Sequence, residues 1–233
     1  MRALWWAAVA AGASYCLAAW CGWSGPGVIV WKGAGVALLA LWAASRAASV
    51  DGWLIAAVMG LGAAGDVLLD AAGMATGAAA FLAGHVVAIV LYLRNHRLLA
   101  TPSQRVFGLL VAPLTVAIAL AFTARSGQVT TVAVYATALG LMAASAWTSR
   151  FPRYRVGLGA MLFVVSDLLI FSRAGPLAGS FVPRLLVWPL YFAGQALIAS
   201  GVVGALKTDR EHIDPFGSGS RFRPNRTGTG NFP

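Results

Sequence analysis

The sequence predicts an all-α polytopic membrane protein with eight transmembrane helices. Three observations carry that prediction. Of 233 residues, 59% are hydrophobic and 10% charged, against about 25% charged in a soluble globular domain, and the mean hydropathy is +0.77. The apolar residues fall into eight runs, each close to the roughly 17–25 residues that a bilayer crossing needs. The basic residues collect on one side of the resulting weave, as they do in chains inserted into a bilayer.

The first run, 4–22, follows Arg2 but is too long for a secretory signal. It carries Trp5, Trp6 and Trp20 and lacks a small-x-small cleavage site before polar chain. Its two cysteines, Cys16 and Cys21, point about 140° apart on a helix, at 100° per residue, so no local disulfide is expected. "GWSGPG" introduces the second run, 28–45, and Asp51-Gly52 the third, 53–70. "AAGMATG" joins the third to the fourth, 75–93, as a hairpin. "ATPSQR", "RSGQ", "RFPRYR" and "RAGPLAGSFVPR" then bound the runs 105–124, 129–148, 156–173 and 184–205. One eight-helix transmembrane domain over 1–206 is expected. A basic cytoplasmic tail over 207–233, rich in Gly, Pro, Ser, Arg and Asn, has little to bury and reads as disordered, with weak attraction to anionic headgroups.

Eight crossings put both termini on one side. That side carries Arg2, Arg46, Arg94, Arg97, Arg105, Arg150, Arg153, Arg155, Lys207, Arg210, Arg221, Arg223 and Arg226. The other side has Arg125, Arg173 and Arg184, and Lys32 lies within a run. Thirteen against three predicts cytoplasmic termini in the cell membrane. The net charge of +10 is thereby an orientation signal, and no nucleic-acid partner is expected. Residues 28–46 also align without a gap on 132–150, and, helix by helix, "GDVLL" beside "SDLLI" matches Asp66 with Asp167 and "FLAGH" beside "YFAGQ" matches His85 with Gln195. That correspondence suggests two parallel four-helix repeats.

Polar residues inside the runs are the functional candidates. Of seven acids, Asp51, Asp209, Glu211 and Asp214 fall in loops or the tail, leaving Asp66, Asp70 and Asp167. Lys32, His85, Tyr135, Tyr191 and Gln195 join them. An ionisable group at a helix centre costs about 2.5–3.5 kcal/mol on insertion scales, so such residues face a cavity or each other. By depth, Lys32, Asp66, His85, Asp167 and Gln195 converge on one pocket toward the side away from the termini. Each has a plainer role open to it. Asp66 and Asp167 can form a structural pair, Asp70 a solvated rim cap, and Lys32 can snorkel. His85, Tyr135, Tyr191 and Gln195 can serve as interhelical glue. No metal is expected, because zinc wants several His or Cys ligands and only His85 lies in a run. Neither a phosphate-binding Gly loop nor a G-x-S-x-G elbow is present.

In order and spacing these residues resemble the YhhN-like family of integral membrane proteins, whose animal members include lysoplasmalogenases. The resemblance spans roughly 28–201 and rests on Lys32, "GDVLL" with Asp66, "FLAGH" with His85 and "VYATALGLMAASA" with Tyr135. It continues in "GAMLFVVSDLLI" with Asp167 and "YFAGQALIASG" with Tyr191 and Gln195. It implies hydrolysis of the vinyl ether of a lysoplasmalogen or related ether lysolipid, releasing a fatty aldehyde and a glycerophospho-alcohol without a cofactor. That chemistry needs one carboxylic acid to protonate carbon and one carboxylate to orient water, and apolar surroundings together with a neighbouring carboxylate keep one member of such a pair protonated. Asp66 and Asp167 are the expected acid/base pair and His85 a proton relay or water orienter. Lys32, Tyr135, Tyr191, Gln195 and the rim residue Asp70 are the expected substrate contacts. The lysophospholipid would enter sideways from the bilayer. A small-molecule or proton-coupled transporter using the same acids is the alternative, and a purely structural membrane protein a third reading. Nothing in the sequence sets an oligomeric state.

Overall fold

The computed structural model describes residues 2–99 and 101–213. Eight helices follow in the expected order: α1 (Arg2–Cys21), α2 (Pro26–Ala44), α3 (Val50–Ala71), α4 (Met74–Arg94), α5 (Pro102–Thr123), α6 (Val129–Thr148), α7 (Leu158–Ser172) and α8 (Val182–Ile213). All eight, α7 taken with the turn that leads into it, are long and apolar enough to cross a membrane. The described residues hold no β-strand, only an isolated bridge between His96 and Ser149.

Local chemistry sets the helix ends. Ser49 accepts the Gly52 N–H at 3.2 Å and starts α3 at Val50, ahead of the apolar run. Thr101 and Gln104 form a reciprocal capping box with Pro102 in the first turn, which moves the start of α5 back to Pro102. Gly73, at φ +91°, turns α3 into α4 in a conformation that a side chain would resist. Arg153–Gly157 form one π-helical turn before α7.

The last helix differs from expectation. It does not stop near 206 but runs to Ile213, so Lys207–Ile213, assigned from composition to a disordered tail, are helical. Arg150 reaches Asp209 at 2.6 Å, Lys207 pairs with Glu211 at 3.4 Å, and Arg210 donates to the Arg46 carbonyl at 3.2 Å. Polar partners, absent from a hydropathy reading, thus extend the helix beyond the apolar run. The rest of the expected tail, 214–233, lies outside the described residues.

In the bundle α8 packs on α1, α2, α3 and α7, while α3 lies between α2 and α4 and α6 touches α4, α5 and α7. α5 is peripheral, packed on α6 and α7. Small residues permit the close approaches: a Cβ added to Gly159 of α7 would lie 2.7 Å from the Gly194 carbonyl of α8, and the reverse also holds. The outward faces stay apolar, with Val30, Leu41, Val90, Leu109 and Leu114 exposed in mid-helix. A surface of that kind fits hydrocarbon rather than water. At the end of the bundle that carries the termini, buried Asn95 donates to Asp51 at 2.9 Å and accepts from Arg150 at 2.7 Å. This polar latch ties α3, α4, α6 and α8 together there.

Candidate active site

The opposite end of the bundle holds a cavity of about 1480 Å³, framed by the C-terminal ends of α1, α3 and α7 and the N-terminal ends of α2, α4, α6 and α8. Six of the predicted site residues line it: Lys32, Asp66, Asp70, Tyr135, Asp167 and Tyr191. Depth orders them. Asp66 and Asp167 are 2% and 6% exposed, whereas the Asp70 side chain keeps 42% of its surface at the rim.

Each deep acid is held by a tyrosine from another helix. Tyr191 of α8 donates to Asp66 Oδ2 at 2.8 Å, and Tyr135 of α6 donates to Asp167 Oδ2 at 2.7 Å. A carboxylate this buried needs such donors. The approach of α8 to Asp66 depends on glycines one turn or less away: a Cβ on Gly62 would lie 2.8 Å from Gln195 Nε2 and 3.4 Å from the Tyr191 hydroxyl. On Gly65 it would lie 2.7 Å from the Phe81 ring. The glycines of "GAAGD" clear the space in which Asp66 meets its partners. Ser166, beside Asp167 and fully buried, donates to the Val187 carbonyl at 2.9 Å and fixes α7 against α8.

Among the described residues Lys32 forms no ion pair or hydrogen bond with the deep acids. Its Nζ meets Asp70 at 2.9 Å, with 14% of the lysine side chain exposed. The pair links the start of α2 to the end of α3 across the cavity wall. Lys32 thus does not snorkel alone, and Asp70 is its partner rather than an independent cap. The sequence places the two residues at the same depth, but helix azimuth decides that they meet.

His85 and Gln195 lie on a different level from the six. Phe81, Phe163 and Tyr191 form a floor of edge-on rings with centroids 5.1–6.1 Å apart. Beneath it His85 and Gln195 line a second cavity of about 20 Å³, enough for one water. Each reaches the large cavity through a tyrosine: His85 Nε2 is 3.4 Å from the Tyr135 hydroxyl, and Gln195 Nε2 donates to the Tyr191 hydroxyl at 3.3 Å. Two polar chains result, His85–Tyr135–Asp167 and Gln195–Tyr191–Asp66. His85 therefore lines the small cavity and reaches the large one through Tyr135.

Sequence reasoning missed the floor rings Phe81 and Phe163, the clearing glycines Gly62 and Gly65, and the mouth arginines Arg173 and Arg184. Gly65 opens the quoted "GDVLL", and Gly62 lies three residues before it. The rings carry no signal that separates them from ordinary core. Among the described residues no three His, Cys, Asp or Glu side chains gather as metal ligands would, and Cys16 and Cys21 are both free.

No curated protein and no solved structure matches the chain. The model of the YhhN family matches residues 27–202, a stretch that opens in the first turn of α2 and closes within α8. It contains both deep acids, their tyrosines, His85, Gln195 and the Lys32–Asp70 pair, and the chain belongs to the YhhN family.

Proposed function

We propose that the protein hydrolyses the vinyl ether bond of a lysoplasmalogen or related ether lysolipid. The observation that carries this reading is the pair of buried carboxylates, Asp66 and Asp167, each braced by one tyrosine hydroxyl at the bottom of a large cavity. Membership of a family that includes lysoplasmalogenases supports it.

The reaction needs little else. One aspartic acid delivers its proton to the vinyl carbon β to oxygen, and the electron pair of the double bond forms the new C–H bond. The cation left on the α carbon is shared with the ether oxygen, and the other aspartate stabilises it electrostatically. That carboxylate then takes a proton from water as the water oxygen bonds to the α carbon. The resulting hemiacetal gives its hydroxyl proton to the first aspartate, now a carboxylate, while the second, now a carboxylic acid, protonates the departing oxygen, and the C–O bond breaks to release a fatty aldehyde and a glycerophospho-alcohol. The sum is one water consumed and two carboxyl groups returned to their starting protonation. Tyr135 and Tyr191 orient the acids, and the aromatic floor excludes bulk water from beneath them.

Asp66→Asn and Asp167→Asn should each lower aldehyde release by at least about a hundredfold, the lower end of what general acid/base groups contribute, in protein that still elutes as a folded species. Near-normal turnover in either variant would sink the assignment. Purified protein in detergent also separates hydrolysis from transport, since a carrier produces no aldehyde without a sealed membrane.

A further inference from the structure

The cavity mouth carries a charge that the proposed chemistry does not use. Arg173 follows α7 and Arg184 lies in the first turn of α8, and both line the cavity. Among the described residues no carboxylate lies within ion-pairing distance of either guanidinium. Arg173 Nη2 donates to the carbonyl of Pro183, the residue before Arg184, at 3.4 Å. The Arg184 guanidinium lies over Gly22, where a Cβ would meet it at 3.7–3.9 Å. Partial burial, and then the Arg184 charge beside it, holds the Arg173 guanidinium below its ordinary value.

Nearby partial charges do not settle this surplus. The C-terminal ends of α7 and α1 lie near Arg173 and Arg184 respectively, but a helix end offers only about half a charge. Arg184 also stands in the first turn of α8, where the macrodipole disfavours a cation. Lys32, the other cation of the cavity lining, is already paired with Asp70. Two planar forks at one mouth are suited to a phosphate, which guanidinium recognises through paired hydrogen bonds.

Spacing ties the mouth to the acids. Arg173 follows Asp167 by six residues, about 9 Å of helix rise, and Arg184 precedes Tyr191 by seven, about 10 Å. In a glycerophospholipid with a single vinyl ether chain, seven bonds separate phosphorus from the β carbon, and at roughly 1.2 Å per bond in an extended chain they span about 8 Å. The length of the phosphate-to-vinyl segment thus matches, to about 2 Å, the helix rise between the arginines and the level of Asp167 and Tyr191.

We propose that Arg173 and Arg184 form a phosphate clamp that holds the headgroup of a single-chain glycerophospholipid at the mouth of the cavity. The ligand's identity as a lysolipid rests on the hydrolase reading, whereas the clamp is read by binding alone.

Calorimetric titration of the purified protein in detergent tests it with three probes: a saturated 1-O-alkyl lysophosphatidylcholine, which has no bond to cleave, the matching 1-O-alkylglycerol, and glycerol 3-phosphate. Wild type should prefer the lysophospholipid to the alkylglycerol by about tenfold or more, as expected for charge-assisted hydrogen bonds. Arg173→Gln and Arg184→Gln should each remove most of that preference, and the Lys variants should keep part of it. Glycerol 3-phosphate that competes as well as the lysophospholipid would show the site to be one for a soluble phosphate ester and overturn the lipid assignment. A wild type without preference for phosphate, or Gln variants that retain it, would overturn the clamp. Should the Gln variants not fold, wild type decides. Raising salt from about 0.1 M to about 1 M shortens the screening length from about 10 Å to about 3 Å, so lysophospholipid binding must weaken while alkylglycerol binding holds. Failure of the hydrolase reading looks different: wild type binds the saturated lysolipid with this preference but releases no aldehyde from its vinyl ether counterpart.

Discussion

Asp66 and Asp167, the acid/base pair of the proposed reaction, are hydrogen-bonded by neighbours that bring hydroxyls rather than charges. A tyrosine donor satisfies a buried carboxyl oxygen without fixing its protonation as a lysine would, and the lysine of the cavity is engaged elsewhere, by Asp70. Tyr135→Phe and Tyr191→Phe should therefore lower kcat about ten- to a hundredfold, matching the roughly 1.5–3 kcal/mol of a hydrogen bond to a charged group. Thermal stability measured alongside separates lost positioning from lost fold. In the proposed reaction His85 would act through Tyr135, which lies between it and Asp167, so His85→Gln should slow wild type but add almost nothing in the Tyr135→Phe background. Full additivity would remove His85 from the relay. The acids themselves were legible in the sequence because an ionisable residue in an apolar run is rare. Their partners were not. Depth follows from position along a helix, but which tyrosine meets which acid depends on azimuth and crossing angle, and no spacing encodes those.

Among the elements, the apolar runs announced themselves by length, while their ends depended on capping groups and ion pairs that hydropathy does not register. The extension of α8 through Ile213, held by Asp209 and Arg210, is the largest instance. The helix-by-helix match between the two halves pairs Asp66 with Asp167, but their tyrosines come from α8 and α6, which that match relates to α4 and α2. The hydrogen bonding of the acids thus departs from the repeat. Helix contacts also separate glycines by role. Gly159→Ala places a methyl 2.7 Å from a backbone carbonyl of α8, which cannot rotate aside. It should cost about 1–3 kcal/mol, the usual range for overpacking, and disturb the Asp167 side of the site. Gly60→Ala, with open space around it on α3, should instead be neutral or stabilise by about 0.5–1 kcal/mol. Thermal unfolding of the two variants in one detergent checks the contrast. Equal effects would show that α7 and α8 do not approach at Gly159.

At the scale of the whole molecule, one end is latched and the other open, and the charges state which way the molecule should face. The latched end carries Asp51, Arg94, Asn95, Arg150 and Asp209 together with most of the basic residues, and the open end carries the cavity with Arg173 and Arg184. By the positive-inside rule the latch should lie in the cytoplasm and the cavity mouth on the far side of the membrane. Substrate would arrive from the outer leaflet with its phosphate at the mouth. Cysteine labelling in intact cells reads this orientation directly. Native Cys21, exposed at the end of α1 beside the mouth, should react with a membrane-impermeant maleimide in a Cys16→Ser background. A cysteine placed at exposed Ser103, at the latched end in the first turn of α5, with Cys21→Ser, should react only after the cells are permeabilised. The reverse pattern would turn the molecule over. The cavity, its acids and its arginines would then face the cytoplasmic leaflet, and the lipid would have to come from inside the cell.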